Sequence, residues 1–243
     1  MNSMLRLSSA AKVAALLSLL MLFAATSSVA RAQAPSGCWD SSAGPITKIV
    51  ALDPGHGLND SGAVYRFASG GELLEKNVVL DIAYRTRDIL VNKVGYRVCM
   101  TRTDDSTNPS NTERAQYANS VNANVFVLIH LNGSSDPTVN YTQTFWGKKI
   151  KDLKFSEWMY SALYPALDDV DWNGVRDYQV SGNGVGQFAT GALLKSSMPG
   201  TLTESVFLTN ALEAERLLDT TTSGRRQQIA DVIASGIDGW LNR

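Results

Sequence analysis

Three short runs of apolar and β-branched residues, separated by stretches with helical periodicity, constrain the fold of this chain more than any other feature. The runs are 48–52, 96–101 and 124–130, and the third is almost wholly apolar, which suits a strand covered on both faces. Helical spacing of apolar residues runs from 75 to about 91, and a second helix opens at 112–119. The alternation predicts an α/β fold: a single three-layer domain with a mixed, mostly parallel twisted sheet flanked by helices.

The rest of the chain gives weaker secondary-structure signals. Short apolar runs predict strands at 143–146, 191–194 and 200–202, while longer helical patterns predict helices at 155–167 and 225–241. Gly95 is expected to end the helix that begins near residue 75.

The first 32 residues have the three-part organisation of a secretory signal peptide. Arg6 and Lys12 form a positive region, and the apolar run 13–25 that follows has 13 residues. That run is short for a bilayer core, which takes about 20 helical residues. We therefore expect cleavage after Ala32, export to the periplasm or the extracellular space, and no stable membrane anchor after cleavage. An uncleaved membrane anchor is the alternative.

Export would place the two cysteines, Cys38 and Cys99, in an oxidising compartment. An even pair in an oxidising compartment is a candidate disulfide, and this one would tie the segment after the signal peptide to the predicted sheet. A buried free Cys99 with an unused Cys38 is the alternative. A lipid-modified Cys38 is disfavoured because residues 35–37 are a poor lipid-attachment sequence.

The chain has only two histidines: His56 follows the first predicted strand, and His130 is the last residue of the third. The carboxyl ends of parallel strands border one crevice in an open α/β sheet, so both imidazoles are expected there. A single histidine is more often a hydrogen-bonded structural residue, but the coincidence of two favours a functional site. If they hold a metal, they do so from separate elements, because the sequence contains no H-E-x-x-H motif, and the third ligand must be an acid.

Other chemistries find little support. The sequence contains neither a G-x-S-x-G nucleophile motif nor a phosphate-binding G-x-x-x-x-G-K-[ST] motif. The segment 182–186 is glycine-rich, but Gln187 stands where a dinucleotide fingerprint needs glycine, so we interpret the segment as a flexible loop. The formal net charge of −1 shows no excess of positive charge that would favour binding to a polyanion, so we expect no nucleic-acid partner.

Several short motifs occur along the chain, at residues 49–57, 75–83, 101–104, 113–115, 129–133, 174–176 and 202–210. Together, and in this order, they resemble the zinc-dependent N-acetylmuramoyl-L-alanine amidases of the Amidase_3 type. Two departures from that family's pattern occur around Glu204: residues 200–203 read Gly-Thr-Leu-Thr where an aliphatic strand is usual, and Ser205-Val206 replaces Thr-Gly.

The resemblance implies that His56, Glu75 and His130 bind one Zn²⁺ and that Glu204 is the catalytic carboxylate. Two imidazoles and one carboxylate leave the fourth tetrahedral position of zinc open, as in hydrolytic sites. Glu75 would stand in the first turn of a helix, where the helix dipole favours a carboxylate. Residues 33–46 would be an N-terminal extension and residues 47–243 the zinc amidase catalytic domain.

The expected function is a cell-wall hydrolase that cleaves the amide bond between N-acetylmuramic acid and L-alanine of peptidoglycan. The alternatives are a zinc peptidase that cuts within the stem peptide, and an inactive peptidoglycan-binding module. The sequence leaves open whether a protein activator exists, and whether the helix at 155–167 is scaffold or covers the groove.

Overall fold

The computed structural model describes residues 37–167 and 184–243, all of which belong to one compact unit, residues 34–243. The predicted signal peptide with its cleavage site, the 174–176 motif, and Gly182 and Asn183 of the glycine-rich segment lie outside the described residues. Within the described residues, no helix is long and apolar enough to cross a bilayer.

A seven-stranded sheet forms the centre of the described residues, in the order β1-β5-β2-β6-β9-β7-β8. Strands β5, β2, β6 and β9 run parallel, whereas β1 is antiparallel to β5 and β7 is antiparallel to β9. The predicted mixed, mostly parallel sheet is therefore confirmed. The strands are β1 (Cys38–Asp40), β2 (Ile49–Pro54), β5 (Arg97–Met100), β6 (Val125–Asn132), β7 (Gln143–Trp146), β8 (Val185–Gln187) and β9 (Gly200–Phe207), and a separate hairpin contains β3 (Val64–Arg66) and β4 (Glu72–Leu74).

Helices cover both faces of the sheet and complete the three layers. Helices α1, α3 and α6 pack with the larger apolar cluster on one face, while α2 and α4 pack on the other. A π-helical turn, Leu90–Val94, extends α1, and Gly95 then ends it with a φ of 96°, as predicted. The helices are α1 (Glu75–Ile89), α2 (Asn111–Ser120), α3 (Lys149–Leu167), α4 (Gly191–Lys195), α5 (Ala211–Leu218) and α6 (Arg225–Leu241).

Four predictions for the second half of the chain need correction. The strand predicted at 191–194 is wrong, since this segment forms helix α4; a short apolar run does not distinguish a strand from a buried helical turn. Residues 185 and 186, which belong to the segment interpreted as a loop, lie in strand β8 and pair with β7. Helix α3 begins at Lys149 rather than at residue 155. Strand β9 is longer than predicted, so Glu204 lies inside it rather than after it.

The threonines that replace aliphatic residues in β9 are buried, and their hydroxyl groups have partners. Ser156 of α3 donates to Thr201 Oγ1 at 2.9 Å, and Thr203 Oγ1 donates to the carbonyl of Leu128 at 3.3 Å. These two threonines are tolerated in a buried strand because their hydroxyl groups are hydrogen-bonded inside the protein.

The N-terminal segment joins the sheet as its edge strand. Cys38 lies opposite Cys99 in the antiparallel β1–β5 pair, and the two sulfurs are bonded as a disulfide. An ion pair between Arg97 Nε and Asp40 Oδ1, at 2.6 Å, joins the same two strands.

Candidate metal centre

The end of β2 places the first imidazole. After Pro54 the chain turns through Gly55, whose N–H donates to the carbonyl of Ile129 at 3.0 Å, and His56 takes a left-handed φ of 62°. A Cβ on Gly55 would lie 2.2 Å from the ring of His130, so only glycine allows this close approach.

The first residue of α1 supplies the carboxylate. Glu75 is 3% exposed, and both its oxygens accept backbone N–H groups: Oε1 from Leu131 at 3.0 Å and Oε2 from Ala63 at 2.8 Å. Gly62, with a φ of 63°, packs against it, since a Cβ there would lie 2.4 Å from Oε2. The Glu75 side chain is therefore fixed from several directions.

Three donor atoms converge at the carboxyl ends of β2 and β6. His56 Nε2 lies 3.0 Å from Glu75 Oε1, His130 Nδ1 lies 3.1 Å from the same oxygen, and the two nitrogens are 3.2 Å apart. Tetrahedral zinc with ligand bonds of about 2.0–2.1 Å would space its donors about 3.3 Å apart. The donor set and its spacing therefore fit a zinc ion.

The ionisable groups of this cluster shift one another's pKa values toward their charged forms. Burial raises the pKa of Glu75, but hydrogen bonds and charge from His130 and His56 outweigh it and lower the pKa to about 2. Burial lowers the pKa of His56, but Glu75 and Asp60 outweigh burial, so the net shift is upward. Asp60 Oδ2 lies 2.9 Å from His56 Nδ1, which leaves Nε2 to face the other two donors.

Glu204 lies beside this cluster without belonging to it. It is directly opposite His130 in the β6–β9 pair and shares a sheet face with Leu202. Its Oε2 is enclosed and has no hydrogen-bond partner among the described residues. Burial, and secondarily the charge of Glu75, raises the pKa of Glu204 well above its ordinary value.

A cleft of about 580 Å³ opens at the two imidazoles and extends over the sheet face beneath them. Its walls differ in chemistry: residues 108–111 supply polar groups on one side, and Phe188, which is exposed, stands with Thr190 on the other. Leu128 and Leu202 form the floor. The cleft can therefore hold a ligand with both polar and apolar parts next to the cluster.

The structure brings His56, Glu75 and His130 together, and their donor atoms all lie within 4.8 Å of one another, which suits a single ion. Their role as ligands stays a prediction. Sequence reasoning missed Asp60, which orients His56, and gave no role to Arg102 and Arg114, which contact the same turn. A carboxylate four residues after a histidine was the available signal for Asp60.

Comparison with known proteins identifies the family. The family model described as N-acetylmuramoyl-L-alanine amidase matches residues 50–239. The germination-specific N-acetylmuramoyl-L-alanine amidase of Bacillus subtilis is 32% identical over 184 residues, which are 70% of this chain and 71% of that protein. The amidase AmiA of Salmonella typhimurium is 31% identical over 80% of this chain and 76% of its own length.

Solved structures agree with the sequence relatives. The catalytic domain of CwlV, an N-acetylmuramoyl-L-alanine amidase from Bacillus (Paenibacillus) polymyxa, has a TM-score of 0.66 and 31% identity, covering 80% of this chain and 98% of that one. The CwlD amidase of Clostridioides difficile, solved in complex with the GerS lipoprotein, has a TM-score of 0.66 and 27% identity over 80% of this chain and 98% of its own. This chain belongs to the N-acetylmuramoyl-L-alanine amidase family.

Proposed function

We propose that this protein is a zinc-dependent cell-wall hydrolase that cleaves the amide bond between N-acetylmuramic acid and the L-alanine of peptidoglycan. The observation that carries the proposal is the convergence of His56, Glu75 and His130, with donor atoms 3.0–3.2 Å apart, at a cleft in a chain of this family. The amidases among its relatives support the choice of bond.

The residues of the cluster have distinct tasks. His56, Glu75 and His130 would hold the zinc ion, and Asp60 would keep His56 in the tautomer that presents Nε2. When bound, zinc would polarise the amide carbonyl and lower the pKa of a water molecule. The open fourth position, left by three protein ligands, is typical of catalytic rather than structural zinc sites.

Glu204 is the proposed catalytic carboxylate. Its position opposite His130 places it beside the donor cluster, and its free Oε2 is not committed to any described residue. A carboxylate so placed can take a proton from the attacking water and return it to the leaving amine of L-alanine.

Export belongs to the same proposal. Peptidoglycan lies outside the cytoplasmic membrane, so residues 1–32 would act as a signal peptide and deliver the enzyme to the periplasm or the cell exterior. The lipoprotein bound to the similar CwlD amidase makes a protein partner a reasonable subject for a pull-down experiment with this chain.

The test uses mature protein and purified sacculi. We expect release of peptides that begin with L-alanine, identified by mass spectrometry, loss of release in chelator, and recovery with zinc. Glu204→Gln should lower kcat at least about 100-fold while zinc still binds at one equivalent. Glu157→Gln, which removes an exposed carboxylate on α3, is the matched control.

Three outcomes would contradict the proposal in different ways. Full activity of Glu204→Gln would remove Glu204 from its role. Peptides lacking the N-terminal L-alanine would favour the stem-peptide peptidase. Binding to sacculi without any release by the wild type would favour an inactive binding module.

A further inference from the structure

Two buried arginines belong to motifs that the proposed ligand set leaves unexplained. Arg102 is 2% exposed, and Arg114, which lines the cleft with one edge, is 5% exposed. Both contact the backbone of the turn that carries His56. Burying a guanidinium is costly unless its N–H groups are satisfied. The acceptors that each one contacts therefore indicate what it does.

Arg102 connects the segments that carry His56 and Glu75. Its Nε donates to the carbonyl of Pro54 at 2.9 Å, and its Nη2 donates to the carbonyl of Gly55 at 2.8 Å. The same Nη2 donates to the carbonyl of Lys76 at 2.7 Å, in the residue after Glu75. One side chain thus fixes the distance between the β2 turn and the start of α1.

Arg114 holds the same turn from the other side. Its Nη2 donates to the carbonyl of His56 at 2.9 Å, and its Nη1 donates to the carbonyl of Pro54 at 3.1 Å. Its Nε and Nη2 also bind the carbonyl of Pro109 and the side chain of Asn108, which belong to the cleft wall. Together with Arg102, it engages three consecutive carbonyls, those of residues 54–56.

This arrangement explains how the turn keeps its conformation. His56 has a φ of 62°, in the left-handed region that side chains disfavour. Such a conformation persists where its surroundings over-determine it. Arg102 fixes the carbonyl of Gly55 and Arg114 fixes that of His56. The backbone around His56 is therefore held in one conformation, which sets the direction of the imidazole.

We propose that Arg102 and Arg114 are positioning residues that hold His56 and Glu75 in their ligand geometry before the metal binds. The proposal rests on the proposed metal site. It assigns the arginines no contact with substrate or ion, because their N–H groups are occupied by backbone carbonyls and by Asn108 and Asp53.

The charge balance supports a positioning role. Among the described residues, Asp53 is the one carboxylate hydrogen-bonded by the two arginines, and it pairs with Arg114 at 2.5 Å. The hydrogen bonds of Arg102 to described residues all go to backbone carbonyls. Burial, and then the charge of Arg114, lowers the pKa of Arg102. An apolar pair would avoid this repulsion, but it would leave the carbonyls of the turn without donors. The planar guanidinium of arginine reaches several acceptors at fixed angles, whereas the ammonium of lysine is a single point of charge.

The experiment compares Arg102→Lys and Arg114→Lys with Arg97→Lys. Arg97 likewise uses more than one guanidinium nitrogen, but it donates to the carboxylate of Asp40 on the β1–β5 edge of the sheet. Zinc affinity is measured by competition with a chromophoric chelator. Loss of an outer partner of a metal ligand typically weakens binding about 10–100-fold, and we expect this loss for Arg102→Lys and Arg114→Lys and less than about threefold for Arg97→Lys.

A second measurement needs neither metal nor activity. Hydrogen exchange of the apo-protein should accelerate at residues 54–62 in Arg102→Lys and Arg114→Lys, while exchange in α6 stays unchanged. Acceleration throughout the chain, or zinc affinity equal to that of Arg97→Lys, would overturn the positioning role. If Arg114→Lys does not fold, Arg102→Lys decides, since it retains the Arg114–Asp53 pair.

Failure of this proposal and failure of the proposed function give different results. A wild-type protein that binds no zinc removes the metal site, whatever the variants do. Wild-type zinc binding at one equivalent, with unchanged affinity and unchanged exchange at 54–62 in both variants, removes only the positioning role.

Discussion

Replacing Gly62 with alanine should separate the donor atoms of the cluster without removing any of them. The new Cβ would lie 2.4 Å from Glu75 Oε2 and 2.6 Å from the ring of His56, whereas ordinary contact begins at 3.4 Å. The Glu75 and His56 side chains must therefore move about 1 Å away from the new methyl group. This is several times the tolerance of about 0.2 Å for metal–ligand distances. We expect zinc affinity to fall at least about 100-fold.

A matched substitution isolates this effect from backbone strain. Gly70 also has a positive φ, 94°, but a Cβ there would meet nothing within 4 Å. Alanine in a left-handed conformation costs about 1–2 kcal/mol, so both variants should lose at least this free energy of unfolding in the apo form. Gly62→Ala should lose more, because its Cβ also overlaps Glu75 and His56. Only Gly62→Ala should lose zinc affinity.

The assay is competition with a chromophoric chelator, combined with urea denaturation of the metal-free proteins. Equal zinc affinity of Gly62→Ala and Gly70→Ala would refute the reasoning, because it would mean that the carboxylate and imidazole accommodate a methyl group without leaving their ligand geometry. Reduced affinity of both variants would assign the effect to backbone strain in the segment 62–70 rather than to overlap with the donor side chains.

Three further predictions concern the disulfide, the partner of His56 and a buried ion pair. Replacing both Cys38 and Cys99 with serine should lower the free energy of unfolding by about 4 kcal/mol, because the disulfide closes a loop with a sequence separation of 61. Zinc affinity should stay unchanged. Urea denaturation of the non-reduced protein measures the loss, and an unchanged midpoint would contradict the prediction. Asp60→Asn should weaken zinc binding about 10–100-fold in the chelator assay, and wild-type affinity would exclude Asp60 as an orienting partner. Glu213→Gln should destabilise the protein by about 3–5 kcal/mol in thermal unfolding, because it leaves the buried Arg225 charge uncompensated; a loss below 1 kcal/mol would show that the pair contributes little.

The parts of the fold that the sequence predicted are those with long, regular patterns. The strands at 48–52 and 124–130 are apolar because helices cover both faces of the sheet, and the helices that start at Glu75 and Arg225 each present an apolar stripe. Strands of three residues, such as Cys38–Asp40, are too short to show any periodicity. Their pairing depends on distant partners that the local sequence does not reveal.

The candidate site was predictable to a similar extent. Both histidines lie at strand ends, and parallel strands bring their carboxyl ends together, so the pair could be located from the pattern. The side chains that hydrogen-bond to the turn at residues 54–56 could not be located in this way. Arg102 and Arg114 contact backbone carbonyls from a strand end and a helix, and hydrogen bonds to a distant backbone leave no periodic signal in the sequence.

Glu204 shows why a residue inside a strand can escape a pattern argument. With strict alternation, Leu202, Glu204 and Val206 would all face the cleft. The β6–β9 register instead shifts after the His130–Glu204 pair, so that Asn132 lies opposite Phe207 and β9 carries one extra residue. The bulge lets Val206 rejoin the larger apolar core while Glu204 keeps the face of Leu202 and His130. The bulge therefore sets the face of Val206 and not that of Glu204, which lies opposite His130 in the regular part of the register. The role of Glu204 followed from the family resemblance because the predicted strand, 200–202, ended before it.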